Sequence, residues 1–320
     1  MKPISYMRAL SVDTAVAQAS ARNRLLGGGI DLLGELKEGL TEADLLISVT
    51  RIPGLDTIQP TATGWKIGAN VTIAALPAHA ELGRALPALA AAAAHVASPQ
   101  IRNVSTVAGN LAQHSRCWYY RHRDVPCLRK GGDICCAREG EHKYHSLFTG
   151  NWCISPLVSN LAVALATLDA SVVVRHRQGE KRLTIAQLYA PAWDDPTAHT
   201  ALAPGDMITA IEIPHRSRRS AFLQMSEKAE FDWALVSCAA ALDLDGGVVR
   251  QARIALGAVA PVPYRDERAE AFLIGKRIDE TSADGAAALI IEKAEPLPQN
   301  AYKVPIARAL IKRALIQAAS

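Results

Sequence analysis

The chain has 320 residues, roughly two domains' worth, and at 49% hydrophobic and 21% charged it has the apolar content of an ordinary globular protein, which excludes intrinsic disorder. A formal net charge of +4 is too small to argue for nucleic acid or an anionic membrane as partner. The longest apolar run, residues 86–94, is too short to span a bilayer. The N-terminal segment has no continuous apolar core of a secretory signal. That pattern points to the cytoplasm, with co-export beside a signal-bearing partner as the alternative.

In chain order, residues 1–57 read as a small α/β unit. A helix starts at Ser11 or Asp13, and a short strand at Arg24, Leu25 and Leu26 runs into Gly27, Gly28 and Gly29. Residues 45–49 form a further strand, ended by Ile52-Pro53-Gly54. The second unit, 58–215, begins with an alternating stretch at 65–69 and an alanine-rich helix around 85–97. Residues 101–113 read as extended at first, then a turn at Gly109-Asn110. Residues 114–153 hold no sustained period of 2 or 3.6, and a structureless stretch that long inside a compact domain is usually functional. Helix (160–168) and strand (170–175, with a partner at 181–184) then resume. A polar, basic link at 215–220 leads to the last unit, 220–320, with strands at 233–242 and 248–256 and helices around 265–274, 282–293 and 302–318. The reading is α/β followed by α+β, with an irregular insertion at about 114–155.

Of the six cysteines, five fall in the insertion: Cys117, Cys127, Cys135, Cys136 and Cys153. In a chain of this size without an export signal, such clustering points to metal or redox chemistry rather than disulfides. Thiolates that converge on a metal turn binding free energy into folding free energy, which would order a segment poor in aliphatic residues. No C-x2-C pair is present, and spacing alone leaves zinc and a [4Fe–4S] cluster equally placed. Cys135 and Cys136 are adjacent and cannot easily both face one cluster, while Gly131-Gly132 would let the backbone fold closely around it. The basic residues nearby (Arg121, Arg123, Arg129, Lys130, Arg138, Lys143) read mostly as solvated surface, or else as compensation for cluster charge. Cys238, in an apolar strand, reads as a small buried hydrophobe. The triglycine could close backbone N–H groups around an oxyanion, but it is neither G-x-G-x-x-G nor a Walker loop.

Six motifs in order resemble those of the flavin-binding medium subunits of the molybdenum hydroxylases, the xanthine oxidase and carbon monoxide dehydrogenase family. The family's A-G-G-T-[DN]-L is similar to residues 27–32, I-P-G-L to 52–55, I-G-A-x-x-T to 67–72, and R-N-x-x-T-x-[GA]-G-N-L to 102–111. A-L-G-[GA]-V-A-P-x-P-x-R matches 255–265, and N-A-Y-K-V-x-x-A-R matches 300–308. The insertion is similar to that of the subgroup resembling 4-hydroxybenzoyl-CoA reductase and bacterial aldehyde oxidoreductase, through Cys127, Lys130-Gly131-Gly132-Asp133-Ile134-Cys135, Lys143-Tyr144-His145 and Cys153. That register favours Cys135 over Cys136 and iron–sulfur over zinc.

The resemblance implies a two-subdomain FAD-binding domain of the vanillyl-alcohol-oxidase-like (PCMH) type, then a carbon-monoxide-dehydrogenase-flavoprotein-like α+β domain. FAD would be held by Leu25, Leu26, Gly27, Gly28, Gly29, Ile30, Asp31 and Leu32, by Thr106, Ala108, Gly109 and Asn110, and by Asn160. A [4Fe–4S] cluster would be held by Cys117, Cys127, Cys135 and Cys153. Two departures stand out: Asn160 where the family usually has an acid, and Gln224 where it often has lysine. The implied role is an oxidoreductase subunit that moves electrons and does not itself convert substrate; no catalytic acid/base pair is evident. Its partners would be a large molybdopterin subunit, acting on an aldehyde or an aromatic or acyl-CoA substrate, and a small subunit with two [2Fe–2S] clusters. An external acceptor such as ferredoxin, a quinone-like compound or oxygen would complete the chain. The competing reading is a zinc-stapled interaction subunit that has lost its flavin.

Overall fold

The computed structural model describes residues 3–320. The first unit alternates strand and helix: β1 (Ser5–Arg8), α1 (Val12–Gln18), β2 (Asn23–Leu26), α2 (Leu32–Glu38) and β3 (Leu45–Ser48). Its strands pair in parallel in the order β1-β3-β2, which requires crossover connections of the kind α1 and α2 supply. Ser11 caps α1 by accepting the Thr14 N–H. Gly39 ends α2 with φ +71°, the left-handed conformation that glycine adopts at least cost.

The second unit opens with the hairpin β4 (Ile58–Thr61) and β5 (Gly64–Gly68), followed by short helices α3 (Ala75–Ala78), α4 (Ala80–Ala85), α5 (Pro87–Ala94), α6 (Pro99–Val104) and α7 (Val107–Leu111). The 101–113 stretch is therefore helical, not extended, and Gly109-Asn110 lies inside α7 rather than in a turn. Ser98 and Thr106 each cap a helix through their side-chain oxygens, and Pro99 occupies the first helical position. Capping outweighs the strand bias of the β-branched residues in that stretch.

After the insertion, with its one-turn α8 (Trp118–Arg121), come α9 (Asn160–Thr167), β6 (Ser171–His176), β7 (Gly179–Thr184), α10 (Ile185–Tyr189), α11 (Pro191–Asp194) and β8 (Met207–Pro214). An antiparallel sheet of order β4-β5-β8-β6-β7 results. Every residue of α9 is buried, because it packs against α5 on one side and the last unit's sheet on the other. That explains why its sequence is apolar all round.

The last unit has strands β9 (Arg218–Met225), β10 (Val236–Asp245) and β11 (Val248–Gly257), order β11-β10-β9, covered by α12 (Glu267–Leu273), α13 (Glu280–Ile291) and α14 (Lys303–Ala319). β9 starts inside the stretch expected to be a linker. Its Arg218 is spent on Asp169 at 2.7 Å and Gln251, so its charge does not mark solvent. The strand expected from 233 begins at Val236. Cys238 is fully buried in β10, as expected. No helix among the described residues is long and apolar enough to cross a membrane.

The insertion is held by more than its cysteines. Leu147 and Phe148 join the core of the last unit, and the Phe148 ring stacks on Tyr264 at 3.9 Å. Both Leu147 and Phe148 N–H groups donate to Val259 O. The 299–303 segment grips it from the other side. Gln299 bonds His142 twice, and the Asn300 amide donates to His145 O and Ser146 O. Lys303, fully buried, donates to the carbonyls of Tyr144, His145 and Ala258 at 2.6–3.1 Å. The expectation that metal alone replaces a core here is thus corrected: residues 142–157 have conventional anchorage.

Candidate functional site

A cleft of about 680 Å³ is lined by residues of all three units. All the residues singled out for the flavin line it: 25–32 from the end of β2 to the start of α2, Thr106, Ala108, Gly109 and Asn110 from α7 and its cap, and Asn160 at the start of α9. Among the described residues, no backbone N–H from Gly27, Gly28, Gly29, Ile30 or Asp31 donates to a protein acceptor. Gly29 has φ +75°. Consecutive free N–H groups on such a turn form an anion-binding nest.

The glycines also let two backbones touch. An ideal Cβ on Gly28 would lie 2.1 Å from Val104 O, and one on Gly27 3.0 Å from Thr106 Oγ1. The second wall is itself stapled. Arg102 Nη1 donates to Val96 O (2.9 Å) and Ala97 O (2.7 Å), holding a turn in which Ala97 has φ +41°. Thr106 Oγ1 accepts the Gly109 N–H, and Asn110 Oδ1 accepts from Ser159 Oγ at 2.6 Å. Asn160 Nδ2 donates to Gln224 Oε1 at 2.8 Å. The two departures named from the sequence therefore meet, as a pair of neutral amides.

Asp31 turns away from the nest. Its carboxylate accepts the His114 N–H at 2.7 Å and pairs with Arg121 (2.7 Å) and Arg116 (3.0 Å). Glu35, buried one helical turn on, accepts from His114 Nδ1 and from the Tyr120 hydroxyl, both at 3.0 Å. Burial pushes the Glu35 carboxyl up, but His114, Arg121 and Tyr120 together hold it below the usual carboxylate range. Asp31, Glu35 and His114 bring ligand atoms within 4.8 Å of one another. A cation there would face two guanidiniums, so the group is an ion-pair network between α2 and the insertion. His114 stacks on His199, ring centroids 4.1 Å apart and planes 8° apart. Burial, with His114 and two arginines adding to it, drives the His199 imidazole far below its usual value, which keeps it neutral.

Behind this network, Cys117, Cys127, Cys135, Cys136 and Cys153 line one small pocket with Tyr119, Tyr120 and Arg129. A tight turn sets two of them. Leu128 N–H donates to Ile134 O, and Gly132 packs so closely that a Cβ would lie 1.9 Å from Pro126 O. His145 Nε2 lies 3.2 Å from Cys117 Sγ, and Arg129 Nε donates to Cys153 Sγ at 3.3 Å. A hydrogen bond from Cys135, reinforced by Arg129, holds the Cys153 thiol well below its usual value and pushes Cys135 up. Burial pushes Cys117 up to about 11. Of the six basic residues read as mostly solvated surface, Arg129 is buried and Arg121 is paired inside; the expectation fails for those two.

Residues 2–216 match the family model described as the FAD binding domain in molybdopterin dehydrogenase, and 220–318 match the CO dehydrogenase flavoprotein C-terminal domain. The chain belongs to the FAD-binding medium subunits of the molybdenum hydroxylases. It is 34% identical to the aldehyde oxidoreductase FAD-binding subunit PaoB of Escherichia coli (strain K12), with 99% of each chain covered. Identity to the carbon monoxide dehydrogenase medium chain of Hydrogenophaga pseudoflava is 28%, over 97% of this chain and 95% of that one. Among solved structures it is similar to a chain of quinoline 2-oxidoreductase from Pseudomonas putida 86 (TM-score 0.78, 25% identity, 100% and 98% covered).

As an FAD-binding medium subunit of an oxidoreductase, the chain has a nest and cleft that suit a dinucleotide: unpaired N–H donors for a pyrophosphate, and a volume in the usual range for ligand sites. The candidate metal ligands lining the cysteine pocket are thiols. A tetrahedral zinc with bonds of about 2.3 Å holds its sulfurs about 3.8 Å apart. Among the described residues no three cysteine sulfurs lie within 4.8 Å of one another. The wider set suits a multi-iron cluster better than one ion. Sequence reasoning missed Arg116 and residues 231–233, which line the cleft from the insertion and from the loop after β9, with Arg116 5.3 Å over the Trp233 ring. No local motif marks them; only the fold brings them there.

Proposed function

We propose that this medium subunit carries FAD in the cleft and a [4Fe–4S] cluster in the cysteine pocket, within a heterotrimeric molybdenum hydroxylase acting on an aldehyde or an aromatic or acyl-CoA substrate. The large partner would hold the molybdopterin cofactor and the small one two [2Fe–2S] clusters, with ferredoxin, a quinone-like compound or oxygen as external acceptor. The observation that carries the reading is the convergence of residues 25–32, Thr106, Ala108, Gly109, Asn110 and Asn160 on one cleft, beside a pocket lined by five cysteines.

Residues 27–31 would donate their N–H groups to the pyrophosphate, with Thr106 and Asn110 approaching from the second wall. Cys117, Cys127, Cys135 and Cys153 would be the cluster ligands. When bound, FAD supplies the conversion between electron pairs and single electrons. Around it, Arg116 sets a cation against Trp233, and Asn160 and Gln224 offer amides without net charge. The substrate reaction would stay on the large subunit with its molybdopterin cofactor; the Glu35–His114 pair that reaches this cleft is tied up with Arg116 and Arg121 in an ion-pair network. PaoB's similarity supports an aldehyde as substrate class. Co-expression with the two partner subunits and extraction of flavin from the purified complex tests the reading. Stoichiometric FAD, reduced when an aldehyde is added, supports it, and a complex without flavin overturns it.

A further inference from the structure

Arg129 differs from every other basic residue of the insertion. It is 6% exposed, and among the described residues no carboxylate pairs with it. A buried guanidinium without a carboxylate is costly unless another group compensates its charge. Its contacts name that group. Nε donates to Cys153 Sγ at 3.3 Å, and Nη1 donates to Ala198 O at 2.9 Å and to His199 Nδ1 at 3.2 Å. Tyr120 closes on the His199 ring edge-on at 5.2 Å, and His114, stacked on His199, lines the flavin cleft. One chain of contacts thus runs from a buried pocket thiol through Arg129 and the half-buried His199 and His114 to the wall of the cleft.

We propose that Arg129 is a positioning residue for the cysteine pocket: it fixes Cys153 as a thiolate ligand, raises the reduction potential of the group bound there, and braces the pocket against the cleft through the His199–His114 stack. This rests on the reading that the pocket takes an iron–sulfur cluster. Adding an electron makes a thiolate-ligated cluster more negative, and hydrogen bonds to its sulfurs favour that form. Arg129 brings both an N–H and a full positive charge. Lysine keeps the charge but cannot reach Sγ, Ala198 O and His199 at once, because it lacks the planar fork.

The test uses the co-expressed complex with wild-type chain, R129K and R129M, read by iron content, redox titration followed by low-temperature EPR, and flavin potential. R129M is expected to shift the cluster's one-electron equilibrium at least tenfold toward the oxidised form, about 59 mV lower, with the flavin potential unmoved. R129K is expected to fall between the two. Loss of cluster iron from R129M with retention in R129K also supports the holding role. Both variants retaining iron with wild-type potential and line shape would overturn the proposal. A wild-type chain with FAD but no cluster iron would sink the underlying assignment instead, and this inference with it.

Discussion

Replacing Gly28 by alanine tests how the flavin cleft is built. An ideal Cβ at that position lies 2.1 Å from Val104 O, 2.8 Å from Val104 C and 3.0 Å from Ser105 Cα. All three are backbone atoms, so no side chain can rotate away. Restoring ordinary contact needs about 1 Å of separation between the glycine loop and the α6–α7 junction, at a cost of about 1–3 kcal/mol. The same displacement pulls the free N–H groups of the nest away from a bound pyrophosphate. Loss of one hydrogen bond to a charged group, about 1.5–3 kcal/mol, predicts flavin binding weakened roughly ten- to a hundredfold. Gly34 is the control. It lies in α2, where a Cβ meets nothing within 4 Å, so Gly34→Ala should stabilise by about 0.5–1 kcal/mol. Flavin fluorescence titration of the deflavinated complex, with thermal unfolding alongside, separates the two variants. If Gly28→Ala binds FAD as tightly as the wild type, or both variants lose it equally, the geometric argument fails.

Lys303→Met leaves the carbonyls of Tyr144 and Ala258 without their donor and His145 O with only the Asn300 amide; we expect a loss of at least about 2 kcal/mol and faster proteolysis within 142–146. Burial pushes the Lys303 ammonium down to about 7, whereas an unfolded lysine titrates near 10.4. Between those values the unfolded chain holds the extra proton, so wild-type stability relative to Lys303→Met should rise as pH climbs from 7 to about 10; a flat difference in denaturation midpoints across that range would contradict this. Asn160→Asp and Gln224→Lys should each lower the melting temperature, because each leaves one charge facing a neutral amide, while the double variant regains an ion pair. A double-mutant cycle should give a coupling of about 0.5–3 kcal/mol, and strict additivity would show that the pair does not interact.

The cleft was legible in the sequence because its backbone chemistry is local. A run of glycines after a strand leaves its mark within a few residues, whereas the second wall at Thr106 to Asn110 was reached only through the resemblance of 102–111 to the family's motif. What was misread came from competition between local signals and caps or pairing. Ile101, Val104 and Val107 suggested a strand, yet Ser98 and Thr106 fix two helices; the Ser98-Pro99 pair was the available signal. Arg218 and Arg219 looked like linker, although Arg218 spends its charge on Asp169 in the turn between α9 and β6. β8, α10 and α11 were not read at all, and the alternating apolar residues Ile211 and Ile213 were the cue in β8. The contributions of Arg116, Trp233 and Lys303 are tertiary and leave no local pattern. Arg129 shows the opposite hazard: in sequence it is one basic residue among several, and only burial distinguishes it.

Iron, sulfide and zinc measured on the purified complex, with the wild-type chain and with Cys127→Ser, bear most directly on the two-group assignment. The account predicts that the wild type carries one cubane's complement of iron and sulfide more than the variant, with an EPR signal lost on substitution, unchanged FAD and no zinc. Equal iron in both complexes, or stoichiometric zinc in this chain, would contradict it.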